Sequence, residues 1–232
     1  MQDEFAVTAA ARPTVAVTGG NSRFPVRRIF CVGRNYPEHA REMGARDSRA
    51  PPFFFTKPAD AVMSNGSAVP YPPRTANLHH EIELVVALGY GGREIPVARA
   101  RELVFGYAVG NDLTRRDVQA AMKEQGKPWD TAKGFDHAAP LTAISPVTDT
   151  GHPERGRIWL EVNSEPRQLG DIADMIWNVA EVIAELSTWF ELAPGDLIFT
   201  GTPAGVGPLK PGDRVRGGVD GVALLEHTVV AR

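Results

Sequence analysis

Short apolar runs, separated by Gly and Pro, recur along the whole chain of 232 residues. Runs of this kind, bounded by turn residues, are typical of β-strands rather than of helices, which need longer periodic segments. The pattern predicts strands over residues 14–17, 28–32, 82–88, 104–109, 158–162, 197–200, 214–219 and 222–229.

A first helix is predicted over residues 36–43. Asn35 is placed to act as its N-cap, Pro37 lies in its first turn, and Gly44 follows as a stop. Glu38, three residues after Asn35, completes the pattern of a capping box.

Two further helices are predicted nearer the C-terminus. The first covers 115–124, with Thr114 as its cap and Asp117 at the capping-box position. The second covers 178–189, where apolar residues recur at helical spacing. Because strands and helices do not alternate regularly, the sequence predicts an α+β fold that is mostly β, with a few short helices.

Composition supports one soluble, β-rich domain. The chain contains 23 Gly and 19 Pro, as expected for many turns, and its net charge of -3 gives no reason to expect a nucleic-acid or membrane partner. We expect a lead-in segment over 1–25, of which 1–13 form a loose tail, and a single catalytic domain over 26–232. A lone cysteine, Cys31, and a start without a signal-peptide pattern favour the cytoplasm.

The most informative polar pattern is His-His-Glu-Ile-Glu at 79–83. In a strand, Glu81 and Glu83 project from the same face, with their backbones about 7 Å apart. One interpretation is a solvated edge of a sheet. The other is a site for a hard divalent ion such as Mg²⁺ or Mn²⁺, which takes carboxylate oxygens. Asp112, after the apolar run 104–110, is the candidate third ligand, although an acid at a strand end is also a common turn residue.

A second pair, His39 and Glu42, is spaced i,i+3 on the first predicted helix. A carboxylate beside an imidazole orients it and raises its basicity, as a water-activating base requires, but surface pairs of this kind are also common. Lys57 and Lys133 follow aromatic residues, and each is either a surface lysine or a cation for a substrate oxygen. The glycine-rich turn at 199–207 is either a plain turn or a carboxylate-binding loop.

The order of these motifs carries more information than any one of them. They are Cys-Val-Gly-Arg-Asn-Tyr at 31–36 with His39 and Glu42, Lys57-Pro58, His80-Glu81-x-Glu83, Asn-Asp-Leu-Thr-Arg-Arg-Asp-Val-Gln at 111–119, Lys-Gly-Phe-Asp at 133–136, Pro-Gly-Asp at 194–196, and Thr-Gly-Thr-Pro-x-Gly-Val-Gly at 200–207. In this order they resemble the fumarylacetoacetate hydrolase superfamily, and the resemblance extends from about residue 26 to residue 229.

The resemblance implies a fold of stacked and rolled mixed sheets, a homodimer, and one Mg²⁺ or Mn²⁺ per active site. It implies a water-activating dyad on a short helix that orders over the substrate. The residues that it assigns are the metal ligands Glu81, Glu83 and Asp112, the dyad His39 and Glu42, and the substrate-contacting Lys133, Gln119 and Thr202. From the residues themselves we also expect Lys133 to act in catalysis and Arg34 and Lys57 to bind substrate.

The expected reaction is hydrolysis of the C3–C4 bond of a 2,4-dioxo acid. Fumarylpyruvate, an intermediate of gentisate breakdown, is the expected substrate, with pyruvate and fumarate as products. Its far carboxylate needs a cation, for which Arg34, Arg41 and Arg115 are candidates. Enzymes with the same motifs also include acylpyruvate hydrolases and oxaloacetate decarboxylases. Two further alternatives are a keto-acid isomerase or hydratase and a non-catalytic carboxylate-binding module.

Overall fold

A computed structural model describes residues 6–8, 10–44 and 49–232. Part of the predicted tail, residues 1–5 and 9, lies outside the described residues. The strands are β1 Thr14–Ala16, β2 Arg23–Pro25, β3 Arg28–Gly33, β4 Phe53–Lys57, β5 Val62–Ser64, β6 Ala68–Pro70, β7 Leu78–His80, β8 Ile82–Leu88, β9 Val104–Asn111, β10 Thr114–Arg115, β11 Ala139–Leu141, β12 Ser145–Pro146, β13 Arg157–Val162, β14 Glu165–Asp171, β15 Asp196–Phe199, β16 Gly207–Leu209, β17 Arg214–Val219 and β18 Ala223–Val230.

The helices are short and lie between the strands. They are α1 Pro37–Glu42, α2 Val97–Ala100, α3 Arg116–Glu124, α4 Asp130–Lys133, α5 Val147–Thr150 and α6 Val179–Trp189, with 3₁₀ turns at Ala59–Ala61, Arg101–Leu103 and Ile172–Asp174. Among the described residues, no helix combines the length and the apolar composition that crossing a bilayer requires.

The largest sheet has the strand order β4-β3-β15-β8-β9-β11-β5, and β12 pairs with β9 outside this path. It is mixed, because β3 runs parallel to β15 whereas β8 is antiparallel to both of its neighbours, β15 and β9. Every residue of β8 is buried, and β9 is almost as deeply buried. These two central strands therefore form the rigid support from which side chains at their ends reach the candidate site.

A five-stranded sheet, β14-β13-β17-β18-β6, packs over the large one. Strands β13 and β17 contact β8, and β18 contacts β9. The contact is close at Gly217, where a Cβ atom would lie 3.0 Å from the Ile82 side chain and 2.7 Å from a backbone oxygen. Smaller sheets, β10-β7-β16 and β1-β2, complete the mostly β architecture of stacked and rolled mixed sheets that the sequence predicts.

Each predicted strand overlaps an observed one, and each predicted helix matches an observed one to within one residue at either end, whereas two predicted N-caps are wrong. Asn35 does not cap α1: its side chain donates to Thr200 O and Trp177 O and accepts from Trp177 N, so it joins three segments instead. Thr114 does not cap α3, because its hydroxyl donates to Asp112 O.

Asp117, at the expected capping-box position, bonds to Thr75 and Ala76 instead. The third helix begins as expected, because Asn178 and Glu181 form the capping box of α6.

Candidate metal centre and active site

A small cavity opens beside α1, where β3 ends and β8 begins. Its lining brings together most of the residues singled out in the sequence: Val32, Gly33, Arg34, His39, Met43, Phe53, Phe55, Glu81, Glu83, Arg116, Gln119, Trp129, Lys133 and Thr202.

Three buried carboxylates meet at one end of β8 and β9. Glu81 directly precedes β8, Glu83 lies in it, and Asp112 directly follows β9. Antiparallel pairing of these strands brings the segments together, and the Asp112 amide donates to Glu81 O at 2.8 Å. One oxygen from each of the three carboxylates lies within 4.8 Å of the others. The interpretation of a solvated edge is therefore wrong, since all three residues are buried.

Cationic side chains surround this acidic cluster. Lys133 Nζ lies 2.7 Å from both Glu81 Oε2 and Asp112 Oδ2, and Lys57 Nζ lies 2.8 Å from Asp112 Oδ1. Arg116 pairs with the other oxygen of Glu81. Burying charges is costly unless they are paired, and Glu81 and Asp112 are both paired.

Glu83 differs from the other two acids. No described cation forms an ion pair with it, and its recorded partner is the Gly201 amide, which donates to Oε2 at 2.8 Å. Burial raises its pKa well above the usual value, and the charges of Asp112 and Glu81 raise it further. For Glu81, burial has the same effect, but Lys133 and Arg116 outweigh it and lower the pKa overall.

The donor set fits a hard divalent cation. Three carboxylates supply only oxygen atoms, which Mg²⁺ and Mn²⁺ prefer, and part of the coordination shell would remain for substrate or water. The repulsion that raises the pKa of Glu83 is the kind that a bound cation removes. The residues present therefore fit the predicted ion.

His39 and Glu42 form the hydrogen-bonded pair expected from their spacing. His39 Nδ1 lies 3.3 Å from Glu42 Oε2, and the other oxygen of Glu42 accepts from the Gly205 amide at 3.0 Å. Burial lowers the pKa of His39 below 6.5, and Glu42 and Glu81 only partly offset this. With Nδ1–H donated to Glu42, the neutral ring keeps a basic Nε2.

The glycine-rich turn does bind carboxylates, but they belong to the protein. Gly201 holds Glu83 and Gly205 holds Glu42, so one loop fixes both a candidate ligand and the dyad. Both glycines have φ near +100°, and a Cβ atom at Gly205 would lie 2.2 Å from Arg167 O. The turn therefore needs glycine at these two positions.

The structure brings three of the four predicted substrate-binding residues to the cavity. Arg34, Gln119 and Thr202 line it. Lys57 does not, because its fully buried ammonium is used by Asp112 Oδ1, Leu113 O and Lys133 O. We therefore interpret Lys57 as a buried counter-ion of the acidic cluster.

Two of the arginines considered for a distal carboxylate lie outside the cavity lining. Arg41 is exposed on α1, where Glu38 lies 3.8 Å away. Arg115 stacks on the Phe135 ring and donates to Thr131 O. Of these candidates, only Arg34 lines the cavity.

Sequence reasoning missed Arg116 as a site residue. Its guanidinium contacts Glu81, Gln119 and His79 and so connects the acidic cluster with the substrate side of the cavity. The i,i+3 spacing of Arg116 and Gln119 on one helix was a usable signal.

Gln168 was missed as well. It lies in the polar strand β14, which carries none of the apolar alternation used to find strands. Its buried amide reaches Ile82 N, between Glu81 and Glu83.

A rolled, mostly β fold with three buried carboxylates beside a histidine–glutamate pair is suited to metal-dependent chemistry on small acids. The chain belongs to the fumarylacetoacetate hydrolase C-terminal family, whose sequence profile matches residues 28–230. This confirms the family and the fold class that the motifs predict.

Relatives over most of the chain carry two different activities. The fumarylpyruvate hydrolase of a Ralstonia species is 45% identical over 76% of this chain and 92% of its own length. The mitochondrial oxaloacetate tautomerase FAHD1 of Mus musculus is 43% identical over 88% of this chain and 91% of its own length.

A crystal structure of fumarylpyruvate hydrolase from Pseudomonas aeruginosa in complex with Mn²⁺ and pyruvate is also similar. It has a TM-score of 0.97 and 48% identity, and it covers 99% of this chain and 100% of that chain. The Mn²⁺ in this relative agrees with the kind of ion expected from the three acids.

Proposed function

We propose that the protein hydrolyses the C3–C4 bond of a 2,4-dioxo acid, with fumarylpyruvate and water giving fumarate and pyruvate. The observation that carries the proposal is that His39, which is hydrogen-bonded to Glu42, lines one cavity together with two of the three clustered carboxylates, Glu81 and Glu83. The similarity to fumarylpyruvate hydrolases supports it over most of the chain.

Glu81, Glu83 and Asp112 would hold Mg²⁺ or Mn²⁺. When bound, such an ion supplies Lewis acidity, which stabilises negative charge on the pyruvate fragment as the carbon–carbon bond breaks. Lys133 holds two of these acids in place from α4. Its own pKa is raised because Asp112 and Glu81 outweigh the effect of burial, so its ammonium keeps its charge.

His39 acts as the general base in this proposal. Its Nε2 takes a proton from water, and the hydroxide portion adds to the C4 carbonyl carbon. The electron pair of the C3–C4 bond then passes to the pyruvate fragment, and C3 receives the proton that His39 removed. The hydroxyl added at C4 becomes part of the new carboxyl group of fumarate, which then releases its proton to solvent, so atoms and charge balance.

Glu42 orients His39 and supports the imidazolium that forms. Gln119 accepts from Arg116 through its oxygen, which leaves its amide nitrogen as a donor toward substrate. Thr202 lines the cavity, and its hydroxyl group donates to Ile82 O and accepts from Gln168, which fixes this part of the wall. These groups supply positioning and electrostatic stabilisation rather than covalent chemistry.

Oxaloacetate tautomerisation is the second candidate, and it is favoured by the 43% identity to that enzyme. It needs a base that moves a proton between carbon and oxygen, but no attacking water. Oxaloacetate decarboxylation likewise needs no attacking water. Acylpyruvate hydrolysis follows the same steps as the main proposal, with a different acyl group.

The deciding experiment is a parallel assay of the Mn²⁺-loaded protein on fumarylpyruvate, acetylpyruvate and oxaloacetate, repeated after chelation. We expect fumarylpyruvate hydrolysis that is lost with the metal and reduced about 10²- to 10⁴-fold in His39→Ala. Asp112→Asn should abolish turnover by weakening metal binding. Full hydrolysis in His39→Ala would contradict the dyad, and oxaloacetate tautomerisation without fumarylpyruvate cleavage would favour the second candidate.

Three further expectations accompany the proposal: a homodimer, a cytoplasmic location and a place in gentisate breakdown. They stay predictions. Light scattering on the purified protein tests the first.

A further inference from the structure

Three cationic side chains line the cavity, and two of them are already used. Lys133 binds Glu81 and Asp112, and Arg116 binds Glu81 and Gln119. Arg34 is different, because no described residue forms a hydrogen bond or ion pair with its guanidinium, and its Nε is buried without an acceptor. Its donors are therefore available to a ligand.

The backbone and a ring hold Arg34 in place. It follows β3 with a φ of 58°, a conformation that is uncommon outside glycine. Its Cζ lies 5.6 Å from the centre of the Phe53 ring. That ring lies directly across from Gly33, where a Cβ atom would come within 2.0 Å of it, so only glycine at 33 lets the ring occupy this position.

An aromatic wall, formed by Phe53, Phe55 and Trp129, borders the cavity next to Arg34. Trp129 packs edge-on against Phe53, with ring centres 5.3 Å apart. An apolar wall lowers the local dielectric constant and so strengthens a charge-assisted hydrogen bond made beside it. Flat apolar surface with a single free cation at its edge suits an unsaturated chain that ends in a carboxylate.

We propose that Arg34 binds the second carboxylate of the substrate, so that the cavity selects dicarboxylic 2-oxo acids over monocarboxylic ones. This rests on the proposed function, in which the 2-oxo-acid end of the substrate lies at Glu81, Glu83 and Asp112. A guanidinium suits this role because its planar donors match both oxygens of a carboxylate.

The test separates binding from turnover by using a matched pair of ligands that lack the 4-oxo group. 2-Oxoheptanedioate has the seven-carbon chain of fumarylpyruvate and a terminal carboxylate, and 2-oxoheptanoate has a methyl group there. Calorimetric titration of the Mn²⁺-loaded wild type should show about 10- to 100-fold tighter binding of 2-oxoheptanedioate.

Arg34→Gln should bring this ratio close to 1 without changing the affinity for 2-oxoheptanoate. Arg34→Lys should keep part of the preference, because the charge remains but the planar donors are lost. Arg41→Gln, an exposed arginine on the neighbouring helix, is the control and should keep the full ratio. Circular dichroism melts of all variants establish that they are folded.

No preference in the wild type, or a preference that survives in folded Arg34→Gln, would overturn the proposal. Failure of the proposed function gives a different result: the wild type would not cleave fumarylpyruvate, whatever its ligand preference. Preference without cleavage would thus keep the role of Arg34 and refute the reaction.

Discussion

Glu42 divides its two oxygens between His39 and the Gly205 amide, so one carboxylate connects the candidate base with the glycine-rich turn. At the scale of single residues, this contact gives a prediction for pH dependence. The groups that act on His39 are Glu42, Glu81, Arg116 and Lys133, and burial dominates, so its pKa is lowered from 6.5. A base with a lowered pKa is neutral at pH 7 and becomes protonated only in more acidic solution.

We therefore expect kcat/KM for fumarylpyruvate to be flat near pH 7 and to fall below pH 6.5. Glu42→Gln removes a contact that raises the pKa of His39. The acid limb should move to lower pH, and the plateau should drop about 10-fold or more because the ring is less well oriented. The check is a pH–rate profile of both proteins.

Glu38→Gln is the matched control, since Glu38 lies on the same helix, is exposed and contacts Arg41. It should leave the profile unchanged. An identical acid limb in wild type and Glu42→Gln would contradict the assignment of that limb to His39.

The acidic residues of the site were predictable one by one, whereas their counter-ions were not. Glu81 and Glu83 stand two residues apart in an apolar strand, a pattern that the sequence displays directly. Lys57 looked like a substrate contact because it follows aromatic residues. Its burial against Asp112 depends on folding between segments distant in sequence, for which a single sequence has no signal.

At the scale of elements, β14 supports β8, which carries the candidate metal ligand Glu83, through one buried amide. Gln168 Oε1 accepts from Ile82 N at 3.1 Å and lies 2.9 Å from His80 Nδ1. Its Nε2 donates to Thr202 Oγ1 and Pro203 O, both at 2.8 Å. A side chain of the five-stranded sheet thus fixes the backbone between Glu81 and Glu83.

Gln168→Leu should leave these partners without hydrogen bonds. We expect the free energy of unfolding to fall by about 2–4 kcal/mol. Mn²⁺ affinity should fall roughly 10-fold, as when groups that orient metal ligands are lost. Urea denaturation and titration of free Mn²⁺ by electron paramagnetic resonance measure the two effects.

Leu169→Ala is the control in the same strand, because Leu169 is 69% exposed and should affect neither quantity. Unchanged Mn²⁺ affinity in Gln168→Leu would restrict Gln168 to a purely structural role.

The N-caps show that the details of a helix end are harder to predict from sequence than the apolar periodicity within the helix. Asn35, the expected N-cap of α1, does not cap that helix, whereas Asn178 caps α6. Asn35, itself buried, forms hydrogen bonds with Trp177 and Thr200 instead, which are distant in the sequence. Hydrogen bonds to distant segments, and not the local capping motif, therefore determine where the Asn35 side chain lies.

At the scale of the whole molecule, the two large sheets meet at β8 and β9, next to the candidate metal ligands. An ion bound there by the folded state alone stabilises the entire fold. Mn²⁺ at 100 times its dissociation constant should add about 2.7 kcal/mol, which raises the melting temperature by roughly 5–10 °C. Differential scanning calorimetry with and without chelator measures the shift.

Glu83→Gln provides the comparison. It should melt at a temperature that is nearly independent of Mn²⁺, and an undiminished shift in this variant would place the ion elsewhere.

The global arrangement followed from the family motifs rather than from strand prediction. β3 pairs in parallel with β15, so Arg28 lies opposite Asp196, although the two residues are far apart in the sequence. Apolar alternation reveals that both strands exist, but not that they are neighbours. Short or polar strands such as β7, β14 and β16 were not predicted. Their composition does not indicate a strand, and they form strands because they pair with neighbouring segments.

Around the acidic cluster, three carboxyl groups are matched by three basic groups, Lys57, Lys133 and Arg116. This near neutrality lets the polypeptide reach its native shape before any ion is loaded, so we expect metal to exchange in and out of an intact protein. Once loaded, the same pocket carries surplus positive charge. A substrate with two carboxylates would neutralise this positive charge, so the net charge of the loaded site returns to near zero only when substrate binds.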